Sequence, residues 1–475
     1  MFMTTTTRSS VLRPLKTLCL LGAAALCATP AWATDLMDVY MDARDNDPVL
    51  SAARESYAAS REAVPQARSA LMPSLNASAN TSWTEREFPG SSLSQDPADP
   101  VFGVQVPDQN FNEHGWNAQL AQPVLNMSAW FGLSSARASV AAAEFELAAT
   151  EQELIVRVVR DYLNVLRAQD LLDTTEAEEA AVKRQLEQVQ QRFDVGLVAI
   201  TDVLESQAAY DSAVVRRIQA DGDHNIFFET LGTLTGRYYE EIDRVSAALP
   251  IVDPSPQDEQ TWVDEALAQN LSIRNAQKQL TAARRNVRAR RSDHLPTIDA
   301  TITQVHSVTG SPNFFNADTT DQTVYGLQLN LPLYNGGAIR SRAKEARALE
   351  RQAQALLLNA QRTVTRDTRN LYQAVATDVV RVRARDKAIE SSQSALEATE
   401  TGYEVGTRNI VDVLQAQQRL FSSQFDYADS RYNYVLNLML LKQVAGVLVS
   451  DDLEELNTFT DPNDQVKRLI TLSNQ

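Results

Sequence analysis

Side chains able to do chemistry are few and scattered. The four histidines, His114, His224, His294 and His306, lie far apart, no HExxH, GxSxG, GxGxxG or Walker loop occurs, and the only cysteines are Cys19 and Cys27. The usual nucleophiles, metal ligands and phosphate cradles are therefore missing, and neither a catalytic centre nor a cofactor nor a bound metal is expected. His114 and His306 fall in or beside stretches of alternating polarity, where a solvated surface histidine is the simplest account. Asp202 and Asp412 stand out by position, because they occupy matched turns. There a carboxylate can cap the following helix by accepting from the free N–H groups of its first turn. Trp83, Trp116 and Tyr325 sit near the ends of alternating stretches, where amphipathic rings suit a membrane–water interface or plain packing.

The elements that position these residues follow from composition and pattern. With 475 residues, 44% of them apolar, the chain is globular in composition, and only 16 glycines favour long helices over a turn-rich sandwich. A formal charge of −17 with no compensating basic stripe excludes a nucleic-acid partner. Arg8, Arg13 and Lys16 precede an apolar core from Thr17 to Leu26 and an Ala31-Trp32-Ala33 cleavage signal, the pattern of a secretory signal peptide. Its loss would remove three basic and no acidic residues, taking −17 to −20, and would remove both cysteines. A lipoprotein attachment at Cys27 meets Leu26 where a small residue is wanted. Past the leader no apolar run reaches the ~18–20 residues of a spanning helix, so membrane insertion is expected only through strands.

The chain is written twice. Phe193 to Gly196 and Ala199 to Leu204 have counterparts in Tyr403 to Gly406 and Asn409 to Leu414 at a spacing of 210, a register that persists to Gly236 and Gly446. Each half is expected to run in the same order. A helical stretch (Asp35 to Met72; Gln260 to Leu295) stops at Pro73 or Pro296. Two alternating strands follow: Leu75, Ala77, Ala79, Thr81 and Trp83 share one face, and a polar loop from Pro89 to Asn110 leads into a strand over Phe111–Val124. The second half repeats this with Thr297 to Val308, a loop from Thr309 to Asp321, and Gln322 to Tyr334. Ser128 to Arg192 and Ser341 to Thr401 contain no proline and only Gly132, so each predicts a helix approaching 100 Å at about 1.5 Å per residue, doubling back at Gly196 or Gly406. In the second returning helix Val411, Leu414, Gln418, Phe421, Phe425, Ala428, Tyr432, Val435 and Met439 form a predicted heptad seam. Four strands of spanning length cannot close a barrel, since the smallest have about eight, so several chains must share one.

Arg192 to Leu204, Gly402 to Leu414, Leu331 to Gly337 and Ser430 to Tyr434 resemble the TolC-type outer-membrane efflux channels, over about Asp35 to Leu456. The resemblance implies an internally duplicated α+β membrane protein. Three chains would form a twelve-stranded outer-membrane β-barrel, four strands from each, continued by a long periplasmic α-helical barrel with coiled-coil ends. The implied organisation is a signal peptide over 1–33, a first repeat over 34–236, an equatorial linker over 237–260, a second repeat over 261–446 and a C-terminal equatorial segment over 447–475. The implied function is the exit duct of a tripartite efflux or type I secretion system in the outer membrane. Its implied partners are two further copies, a periplasmic adaptor, a proton- or ATP-driven inner-membrane pump, and outer-membrane lipid.

Carried over residue by residue, the family's periplasmic gate falls on Asp202, Thr201, Tyr403, Arg408, Gln185 and Glu400. Such polar links near water total only a few kcal/mol, so a partner could break them, and capping by Asp202 is compatible with the same role. Asp412 matches an aspartate lining the constricted entrance. One turn on, where a second acidic ring is expected, stands Gln415, while its repeat equivalent is Glu205; the acid is hypothesised to have moved to the other helix pair. The competing expectation is a trimeric structural or adhesive coiled-coil protein with a small barrel anchor, which two matched hairpins disfavour.

Overall fold

The computed structural model describes residues 34–87, 109–246, 248–310 and 319–468. The expected signal peptide, most of both strand-connecting loops and the last seven residues lie outside the described residues.

The leading helical stretch is three helices, α1 (Leu36–Asn46), α2 (Pro48–Arg61) and α3 (Ala63–Ser69). It breaks where Asp47, ahead of Pro48, caps α2 by accepting from the Leu50 N–H at 2.9 Å. The strands β1 (Ser74–Arg86) and β2 (Gln109–Leu125) follow, then α4 (Met127–Asp194), the Gly196 turn and α5 (Ile200–Thr235). After the short β3 (Glu241–Val245), α6 (Glu259–Gln269) and α7 (Leu271–Ser292) are divided by the Asn270 cap. Next come β4 (Thr297–Thr309), β5 (Thr319–Asn330), α8 (Ala338–Glu404) and α9 (Ile410–Ala445), and finally α10 (Ser450–Asn457) and β6 (Thr460–Lys467). β5 ends before the predicted Tyr334 because Pro332 cannot donate to a ladder and Gly336 and Gly337 take positive φ.

The four long strands form one antiparallel sheet in the order β1-β2-β4-β5, so the two repeats join through β2 and β4. Register puts Leu75, Leu120, Ile302 and Tyr325 in one cross-strand row. Period two then gives that face Ala77, Trp83, Trp116, Leu327 and Leu329, and leaves Asn76, Ser78, Asn117, Thr303 and Gln328 on the other. Beneath the sheet the helices keep the strand order, with α7 packed between α4 and α8. α4 and α8, at 68 and 67 residues, each extend about 100 Å. At mid-length a wide core gathers Val158, Tyr162 and Leu166 of α4 with Phe228, Val379, Val435, Ile242 and Val466. There β3 pairs with β6, bringing the linker between the repeats against the C-terminal segment.

The predicted seam holds for Tyr432, Val435 and Met439 but shifts towards the turn, where Ile410, Val413, Gln417 and Leu420 are buried instead. α9 has two neighbours there. Ile410, Val413 and Leu420 form part of the apolar cluster at the tip, while Val411 and Leu414 pack against its edge and, with Gln418, line a groove against α5, and a sequence pattern cannot say which stripe meets which helix.

Candidate functional site

Both hairpin turns are built alike. Gly196 and Gly406 each adopt φ 78°, the left-handed region open to glycine at little cost. The Leu197 N–H donates to Arg192 O at 2.9 Å, and the Thr407 and Arg408 N–H groups donate to Gly402 O at 2.8 and 3.1 Å, so the last carbonyls of α4 and α8 are satisfied. The helices that leave the turns differ. α9 has a full capping box, in which Asn409 Oδ1 accepts from the Asp412 N–H at 2.9 Å and Asp412 Oδ2 from the Asn409 N–H at 3.3 Å. α5 starts at Ala199 with no side-chain cap, and Asp202 lies free of backbone donors in its first turn.

The tips meet through an apolar cluster. Val189 and Val203 of the first hairpin pack with Leu396, Ile410, Val413 and Leu420 of the second, flanked by Phe193 and Tyr403. Tyr403 joins the two hairpins most directly, because the Arg192 guanidinium lies 5.0 Å from its ring centroid, a cation–π contact. Its hydroxyl is buried and has no hydrogen-bond partner among the described residues. Burial raises the phenol above its ordinary value, Arg192 opposing and the Asp202 carboxylate reinforcing the rise, so Asp202 and Tyr403 are electrostatic neighbours that form no hydrogen bond. Thr201 Oγ1 reaches Asp202 Oδ1 at 3.4 Å. Gln185 is buried, Glu400 is half-buried, and Arg408, largely exposed, points along its own helix to Asp412 Oδ2 at 3.9 Å. Within one chain, then, Arg408 neighbours Asp412 rather than Asp202, as i,i+4 spacing on one helix dictates. Arg192 opens the family-like stretch Arg192 to Leu204 but has no role legible in the sequence, because its partner Tyr403 is distant along the chain.

Asp412 is half-buried in its capping box, while Glu205 and Gln415 are exposed. The fold does bring Glu205 and Gln415 together: both line a groove between α5 and α9, with Val411, Leu414, Glu178 and Arg216. Arg216 is held by Glu178 through two bonds of 2.7 and 3.2 Å, so Glu205 is the groove's carboxylate without an ion-pair partner among the described residues.

Trp83, Trp116 and Tyr325 share the apolar sheet face, at 69%, 45% and 76% exposure. Trp83 stands eight residues along β1 from Leu75, which is in the row of Tyr325, about 26 Å along the strand and roughly 20 Å along the membrane normal at a barrel tilt of about 40°. Trp116 pairs with Ala79 in mid-strand rather than near the strand end expected from the sequence. His306, expected to be simply solvated, stacks on Trp116 at 6.1 Å and approaches Asp321 Oδ1 at 2.7 Å. His224 is fully buried, edge-on to Phe228, and burial lowers its affinity for a proton. Among the described residues no cluster of metal-ligating side chains occurs, and no helix is long and apolar enough to cross a membrane.

A family model described as outer membrane efflux protein matches residues 39–237 and 262–447. The outer membrane protein TolC of Vibrio cholerae serotype O1 is 33% identical over 432 residues, which are 90% of this chain and 94% of that protein. The alkaline protease secretion protein AprF of Pseudomonas aeruginosa is 27% identical over 89% of this chain and 87% of its own. Among solved structures, the Campylobacter jejuni CmeC outer membrane channel superposes with a TM-score of 0.72 at 17% identity, covering 90% of each chain.

Proposed function

The chain belongs to the outer membrane efflux protein family, outer-membrane exit ducts of efflux and type I secretion systems, and we propose that it works as a homotrimer gated at its hairpin tips. The observation that carries this is the four-stranded sheet, apolar on one face and polar on the other, continued by two helical hairpins of matched length. Four strands cannot close on themselves, and three copies give twelve, within the range of membrane barrels. The division into 34–236, 237–260, 261–446 and 447–475 is supported by the two family-matched stretches. A periplasmic adaptor and an inner-membrane pump supply substrate and energy. The chain itself is passive and catalyses no reaction, in keeping with the scattered histidines.

The gate is the tip at which the hairpins meet. Apolar packing among Val189, Val203 and Ile410 sets the contact. Asp202, Thr201, Tyr403, Arg408, Gln185 and Glu400 supply polar groups that chains exchange around the axis: the Tyr403 hydroxyl and the Arg408 guanidinium both have bonding capacity left within one chain. Asp412 contributes the acidic entrance, and Glu205, opposite Gln415 in the inter-hairpin groove, takes the place of a second acid. Trp83 and Tyr325 anchor the sheet at the membrane surfaces, while Trp116, paired with Ala79 midway between their rows, packs within the apolar band.

Single-channel conductance of the purified trimer tests this. The wild type should show a small cation-selective conductance that grows several-fold in Asp202→Ala/Arg408→Ser, since exposed ion pairs contribute only about 0–1 kcal/mol each and their loss shifts a balanced gate. Asp412→Ala should lose cation preference. A folded, inserted trimer silent in every variant would instead be an anchored stalk.

A further inference from the structure

In a chain of formal charge −17, and against the expectation that no basic stripe compensates, two of the helices directly below the sheet, α7 and α8, are strongly basic. α7 carries six arginines and one lysine with no acid, and α8 opens with Arg340, Arg342, Lys344 and Arg347 against Glu345. Arg284 Nε lies 3.6 Å from Glu350 Oε1, which sets the two helices level. Arg291 closely precedes the first residue of β4, Thr297, and Arg340 follows the exposed Leu333 and Tyr334 at the rim of the sheet.

These charges share one side. At about 100° per residue, the buried Leu280 and Val287 of α7 face one neighbour and the buried Ala282 and Ala289 face the other. Arg284, Arg288 and Arg291 fall on the arc between them, and Arg290 falls on the opposite arc. On α8, Ile339, Ala343 and Ala346 mark the side towards α7, with Arg340, Lys344 and Arg347 on one flank and Arg342 on the other. α7 rises while α8 descends, so right-handed winding turns the two rich flanks the same way. The Gly310 N–H donates to Asn112 O at 2.9 Å. For L-residues this places β2 to the right of β4 when the sheet is viewed from its Ile302 face with β4 pointing up. The helices keep that order, and the rich flanks of both face the same viewer, continuous with the apolar face of the sheet. Among the described residues the flank's one ion pair is Arg284–Glu350.

We propose that this flank is a basic collar that binds the phosphate headgroups of anionic phospholipids in the periplasmic leaflet. It rests on the outer-membrane reading above, because an apolar sheet face inserted in the bilayer holds Arg288, Arg291 and Arg340 at headgroup depth. Clustered arginines and lysines beside a membrane-embedded segment attract anionic lipid, and arginine's fork fits phosphate.

The test uses the full-length trimer, extracted into detergent with equal phosphatidylglycerol and phosphatidylcholine, and native mass spectrometry of the retained lipid. The wild type should favour phosphatidylglycerol about fivefold or more. The ratio should fall towards one in Arg288→Gln/Arg291→Gln/Arg340→Gln/Arg347→Gln and hold in Arg290→Gln/Arg342→Gln. Excess inorganic phosphate should not displace the lipid; displacement to an even ratio would identify a simple anion site and overturn the collar. An even ratio in the wild type, or equal loss in the Arg290/Arg342 variant, would also overturn it. If the fourfold variant fails to assemble, Arg288→Gln/Arg291→Gln alone decides. Conductance recorded on the same preparation separates the two readings: a conducting trimer without lipid preference rejects only the collar, and a chain that does not insert rejects the duct.

Discussion

Asp243 shows how single residues set the pH response. The residue is 3% exposed in the β3–β6 sheet, with one carboxylate oxygen unpartnered among the described residues. Burial, with Asp35, Asp461, Asp38 and Glu241 adding like charge, pushes it up to about 6. A folded-state value raised above the unfolded one stabilises fully below the unfolded value of about 4 and loses that contribution as pH rises through about 6. Asp243→Asn should therefore raise the melting temperature at pH 7.5, by at most about 3 kcal/mol of stability from a shift of two units, and make little difference at pH 4. A variant equally altered at both pH values would show that packing rather than charge governs the site. At this scale the sequence was only partly legible. Glycine turns and the duplicated aspartates could be read from types and spacing, but the Arg192–Tyr403 contact and the crowding around Asp243 depend on segments distant along the chain.

Among elements, the two hairpins hold each other at their tips by a small cluster separate from the main core. Ile410→Ala should cost about 2–5 kcal/mol of local packing. It should speed amide exchange at residues 193–204 and 403–414 and raise open-channel probability, with the mid-length core unaffected. A fall in global melting temperature without faster exchange at the tips would mean the cluster is not an independent unit. Helix extents were legible because α4 and α8 lack proline, and strand faces because period two is unambiguous. The seam of α9 was misplaced near its turn, since a helix with two partners carries two stripes. The pairing of β2 with β4 across the repeats, and of β3 with β6, left no local signature: these are long-range contacts, and β3 has only five residues.

In the whole molecule, function rests on reach as much as on any site. A barrel segment, a mid-length belt and two hairpins succeed one another along a single axis, and the resemblance read from the turns and the Leu331 to Gly337 stretch anticipated that order. Removing one heptad from α8 and the matching heptad from α9 should shorten that hairpin by about 10 Å, unseat the tip cluster and leave the channel open. The same excision made in all four long helices should restore a small conductance while weakening export through a partner of fixed height. Restored closure by the one-sided excision would show that the tips need not coincide. α4 and α8 differ by a single residue, about 1.5 Å. An insertion or deletion in the long helices of one half is thus tolerated only when its mirror occurs in the other, so the duplicated hairpins change length by compensated double events, while the leading helical stretches, three helices against two, are free to differ.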